Sequence, residues 1–113
     1  MKLLVAVINN DKHLTPVLDK FYDLGIKGAT VINSQGMGHL IADHIPYFYR
    51  FAELVKPGQS ENKTIFSVIQ NEDTLNQAIE EIDCIVGGLN NSNTGFVFTM
   101  SIDQVAGFPD TKN

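Results

Sequence analysis

The chain has 113 residues, a formal charge of −5 and 43% hydrophobic residues, enough for one core and little beyond it. The acidic balance, with a pI near 4.9 and Arg50 as its only arginine, argues against a nucleic-acid binder, which needs a basic face to neutralise phosphates. Cys84 is the only cysteine; it leaves no partner for an internal disulfide and no cysteine-based zinc site, and a reducing, cytoplasmic compartment is expected.

Residues 2 to 9, rich in Leu, Val and Ile, predict a first strand. The opening MKLLVAVIN is a short apolar run broken by Asn9 and Asn10, so a cleaved leader is not expected. Asn10 and Asp11 offer side-chain oxygens for a helix start. Leu14, Val17, Leu18 and Phe21 recur at helical spacing, predicting an amphipathic helix from about residue 12 to Leu24. Pro16 falls in its first turns, where a missing donor matters least. Gly25 stands where a left-handed cap ends a helix.

Residues 29 to 34 (ATVINS) and 64 to 70 (TIFSVIQ) predict a second and a third strand. Asn71, Glu72 and Asp73 then open a second helix, their negative charge matching the positive end of its dipole. Its expected core stripe is Leu75, Ala78, Ile79, Ile82 and Val86, and Gly87-Gly88 stops it. A polar loop over 89 to 95 leads to a fourth strand at 96 to 102 (FVFTMSI). The order strand, helix, strand, strand, helix, strand predicts a ferredoxin-like α+β sandwich, a four-stranded antiparallel sheet with both helices on one face. The expected organisation is one domain over 1–113 with a long functional loop at about 35–63. No stretch approaches the ~20 apolar residues of a membrane span.

Two helices cover one face of such a sheet, so the other should be polar. The first strand breaks that rule: Leu3, Val5 and Val7 oppose Leu4, Ala6 and Ile8. The third does the same, with Phe66 and Val68 against Ile65 and Ile69. In the fourth, Phe96, Phe98, Met100 and Ile102 share one face and Val97, Thr99 and Ser101 the other, the alternation of an ordinary half-buried strand. A second apolar face is therefore expected mainly on the first and third strands. It calls for an oligomer, or for cover from residues 40 to 56.

The connection from 35 to 63 is longer than the ~12–15 residues beyond which a connection in a compact domain is usually functional or disordered. It opens Gln35-Gly36-Met37-Gly38-His39, carries Pro46-Tyr47-Phe48-Tyr49-Arg50-Phe51, and closes Pro57-Gly58-Gln59-Ser60. Gly36 and Gly38 permit positive φ and close backbone approach to a ligand, and such backbone can present N–H groups to phosphate. A plain turn leaving a strand is the simpler alternative.

Gly25-Ile26-Lys27-Gly28-Ala29-Thr30-Val31, followed by Gly36-Met37-Gly38, resembles the GIKG-x-TV…G-[FM]-G segment of the PII family. The long connection falls where that family carries its effector-binding T-loop, and the resemblance covers about residues 2 to 102. It implies a homotrimer that binds an adenine nucleotide as effector in each cleft between neighbouring subunits, with no other cofactor. Thr30 would meet the adenine amino edge. Gly36, Met37 and Gly38, with His39 beside them, would line base and ribose. The loop from Gly87 through Gly88, Leu89 and Asn90 to Thr94 would approach the phosphates from the next subunit.

The family's glutamine after the second loop glycine is replaced by His39. Its lysine at the end of the phosphate loop is missing from Thr94-Gly95-Phe96, and its arginines after the last strand are missing from the tail. A triphosphate needs cations around it, so ADP, AMP or a cyclic nucleotide is expected ahead of ATP. The resemblance also implies a regulated partner, a membrane transporter or a metabolic enzyme. An enzyme is not expected, because no nucleophile–base pair is visible and Arg50 is misplaced for a phosphate-cradling loop. A CutA-like trimer holding a metal through His13, His39 or His44, and a ligand-independent interaction module using 47 to 51, stay open as alternatives. Cys84 reads as a small core or flank residue.

Overall fold

The computed structural model describes residues 1–37 and 62–108. Its elements are β1 (Lys2–Ile8), a 3-10 turn (Asp11–His13), α1 (Leu14–Asp23), β2 (Thr30–Ser34), β3 (Asn62–Ile69), α2 (Glu72–Val86) and β4 (Gly95–Ser101). The strands form one antiparallel sheet in the order β2-β3-β1-β4. With both helices on one side, that is the ferredoxin-like sandwich the element order predicts.

The core follows from side-chain alternation. Leu4, Ala6 and Ile8 of β1 and Ile65 and Ile69 of β3 turn toward the helices, where they meet Val17 and Phe21 of α1 and Leu75, Ala78, Ile82 and Val86 of α2. Each fully buried Leu, Ile or Phe contributes ~1.5–3 kcal/mol. Leu14, Leu18 and Ile79 pack against this cluster only partly buried. The one buried hydroxyl on the core side, that of Ser67, donates to the Gly28 carbonyl at 2.7 Å. That bond ties β3 to the segment just ahead of β2 and satisfies the buried Ser67 hydroxyl.

The helix ends carry the expected chemistry. Asn10 accepts from the Lys12 amide at 3.0 Å, though the first turn is 3-10 and the α-helix starts at Leu14 rather than residue 12. Asn71 caps α2 by accepting from the Asp73 and Thr74 amides at 2.8 and 3.2 Å. After α1 the chain turns through Gly25 at φ +87°. Between the helices, Lys20 lies 3.9 Å from Glu81 with both side chains well exposed, a pair worth little.

The open face differs from expectation at β4. Val97 packs on the helix side, while Phe96, Phe98 and Met100 stand on the open face, 56, 43 and 54% exposed. Register is the reason: Phe96 and Phe98 pair with Val7 and Val5, which alternate away from Leu4, Ala6 and Ile8. A row Thr30–Phe66–Val5–Phe98 and a row Ile32–Thr64–Val7–Phe96 cross all four strands, with Val68–Leu3–Met100 beyond them. The second apolar face thus spans the sheet instead of resting on β1 and β3 alone.

Candidate functional site

Thr30 opens β2, an edge strand, and stands exposed in the row beside Phe66. At the far end of the strand the sheet is stitched by side chains. The Ser34 hydroxyl donates to the side-chain oxygen of Asn62 and shares a 2.7 Å bond with the Thr64 hydroxyl. Lys63 donates to Asn33 on the neighbouring position. Ser34 and Asn62 are the strand residues on either side of the long connection, so these bonds fix its base. β3 begins at Asn62, two residues ahead of expectation.

Gly36 and Met37 follow directly, and Met37 is 71% exposed. Gly36 does not adopt positive φ. Among the described residues, a Cβ on it would make an ordinary contact, 3.8 Å from the Asn62 amide nitrogen. The freedom that residue 36 was expected to exploit is therefore not needed by its own backbone. Gly38 and His39 lie outside the described residues, as do His44 and the aromatic run 47 to 51.

The second half of the site grows from the end of α2. Gly87, at φ +83°, closes the helix in a Schellman turn: its amide donates to the Cys84 carbonyl at 3.2 Å, and the Gly88 amide to the Asp83 carbonyl at 2.8 Å. The Asp83 side chain then accepts from the Leu89 amide at 2.7 Å. Asn91 donates through its side-chain amide to the Gly87 carbonyl at 2.6 Å. The Thr94 hydroxyl lies 3.0 Å from both the Gly88 and the Asn91 carbonyls. Asn90 is exposed, while the Leu89 side chain packs against the core. Thr94 and the Leu89 amide are thus committed within the loop itself. Asp83 was not among the residues singled out from sequence. Its signal was an acid in the last turn of a helix, the end whose dipole favours cations.

These two halves are not brought together within one subunit. β2 and β4 are the opposite edges of the sheet, three strand spacings or roughly 14 Å apart. Gly36–Met37 and the Gly87–Thr94 loop nevertheless emerge at the same end, since Ile8 pairs with Lys63 on one side and Gly95 on the other, while Thr30 lies at the other end of β2, in the row of Val5.

Among the described residues no group of His, Cys, Asp and Glu side chains could hold a metal ion. Cys84 is exposed rather than a core residue. The half-buried His13 has its Nδ1 shut from solvent with no partner among the described residues. No helix among those residues is long and apolar enough to cross a membrane.

The chain is thus a small ferredoxin-like α+β sandwich with a long connection between β2 and β3 and a glycine-led loop between α2 and β4. The family model for Nitrogen regulatory protein P-II matches residues 1–108, and the chain belongs to that family of regulatory proteins. No curated protein matches the sequence.

Proposed function

We propose that this P-II protein is a cytoplasmic homotrimeric sensor that binds an adenine nucleotide in clefts between subunits. Occupancy of the cleft sets the conformation of the long connection and thereby its hold on a partner, a transporter or a metabolic enzyme. Such switching requires the ligand to bind the two states of the connection with different affinity.

The observation that carries the reading is the placement of the two half-sites. Gly36 and Met37 follow one edge strand of the sheet and Gly87 to Thr94 precede the other, at a common end, with Thr30 four residues back from Ser34 along the β2 edge. Neither half is a site alone. Closed symmetry that brings the β2 edge of one subunit to the β4 loop of the next completes the cleft once per subunit. The same packing covers an apolar open face that would otherwise be an aggregation hazard.

Light scattering followed by calorimetric titration with AMP, ADP, ATP and cyclic di-AMP tests this. The expected result is a trimer with one saturable site per subunit for at least one of these ligands. A well-folded trimer that binds none of them would end the nucleotide reading.

A further inference from the structure

We propose that Asp83 is a specificity-determining residue of this cleft, its carboxylate discriminating against nucleotides in proportion to their phosphate charge. The inference rests on the nucleotide reading above and adds to it which nucleotides are refused, and by what.

A loop of glycine-permitted turns presents backbone amides that suit a phosphate oxygen. Here one of those amides, that of Leu89, is already held by the Asp83 carboxylate at 2.7 Å. The chain supplies its own anion where a ligand's would go. A phosphate entering the loop must displace that carboxylate or lie beside it, and either course meets like charge.

Among the described residues of the same subunit, no lysine or arginine lies in or beside the loop to offset the repulsion. From Lys63 to Lys112 the sequence contains no lysine or arginine between them. Lys63 itself is directed to Asn33, toward the β2 edge and away from the loop. The last turn of α2 holds no basic residue, and the helix dipole places its negative end there.

The charge is not needed for the architecture. An asparagine would accept the same amide hydrogen bond through its oxygen, without an anion at the negative end of a helix. The Schellman turn is made by backbone groups of residues 83, 84, 87 and 88 and does not involve the carboxylate. An asparagine at 83 therefore keeps the bond to the Leu89 amide and removes only the charge, whereas a serine removes the charge and gives up that bond as well.

The test compares wild type, Asp83→Asn and Asp83→Ser by calorimetric titration with adenosine, AMP, ADP and ATP in the presence of a chelator. Wild type should bind AMP ahead of ADP and ADP ahead of ATP. Both variants should gain roughly fivefold for ATP, the scale for one unit charge removed ~4 Å from another in fully solvated surroundings, as at this exposed carboxylate. They should gain less for AMP and nothing for adenosine. In wild type, raising the salt concentration should narrow the gap between ATP and AMP as the repulsion is screened. If adenosine or AMP binds but the ATP-to-AMP ratio is the same in all three proteins, the role of Asp83 is overturned and the nucleotide site stands. Binding of none of the four ligands to any of the proteins would overturn both.

Discussion

Gly95 begins β4 pressed against the backbone of Val7, so that a Cβ on it would overlap the Val7 carbonyl oxygen. Its φ of +140° is also one that side-chain-bearing residues rarely adopt. The residue joins the loop after α2 to the sheet at the row where β4 meets the end of β1. Glycine here is a requirement of the fold.

Gly95→Ala should therefore lower stability by more than about 2 kcal/mol, combining backbone strain with a contact that only main-chain movement relieves. Gly25→Ala is the reference, because Gly25 has positive φ with nothing within 4 Å of its absent Cβ. That change should cost about 1 kcal/mol. Chemical denaturation at one fixed protein concentration would read both. Equal losses would mean that the Val7 contact is not a constraint.

Phe98 and Phe96 stack with ring centroids 6.0 Å apart on the open face. If subunits meet through that face, a carboxylate there would be desolvated without a partner, at a cost of several kcal/mol. Phe98→Glu should convert the trimer to monomer in light scattering. Asp19→Arg, on the outer side of α1, should leave the mass unchanged. A trimer that survives Phe98→Glu would place the interface elsewhere.

The exposed Thr30 hydroxyl is assigned to the base. Thr30→Val keeps the branched shape that suits an edge strand and removes only the polar atom. Loss of one hydrogen bond to a ligand is worth ~0.5–1.5 kcal/mol, so the variant should bind adenine nucleotides roughly three- to tenfold more weakly with no change in oligomeric state. Unaltered affinity, by the same titration, would move the base to another part of the cleft.

The helix stripes, the caps at Asn10 and Asn71, and the four strands were legible in the sequence because each rests on local periodicity or a local side-chain oxygen. The faces of β4 were not. Phe96, Phe98 and Met100 alternate with Val97, Thr99 and Ser101, which says that one face is apolar but not which side of the sheet it takes. Only the pairing of Val7 with Phe96 decides that, and such a contact is long-range. The motif around Thr30 and Gly36 is visible in its spacing and agrees with the family match, whereas the bond of Asp83 to the loop is not. The link from Asp83 to the Leu89 amide depends on how the two glycines between them bend the chain.

Gly36 gives the sharpest test of where the cleft lies, because the described part of its own subunit leaves room for a side chain there. Its φ is not positive and a Cβ would sit 3.8 Å from the flexible end of Asn62. Gly36→Val should then fold, keep the Ser34–Thr64 bond at the base of the connection, and assemble as wild type does. What a valine side chain does occupy is space just past the end of β2, where base and ribose are assigned. Adenine-nucleotide binding should fall by at least a hundredfold, since a ligand excluded by two methyl groups has no compensating contact to gain. The thermal midpoint without ligand should stay close to that of wild type, and the stabilisation conferred by saturating nucleotide should vanish with the binding. A variant that still binds would show that the cleft opens on the other side of Thr30, toward Phe66 and the middle of the sheet.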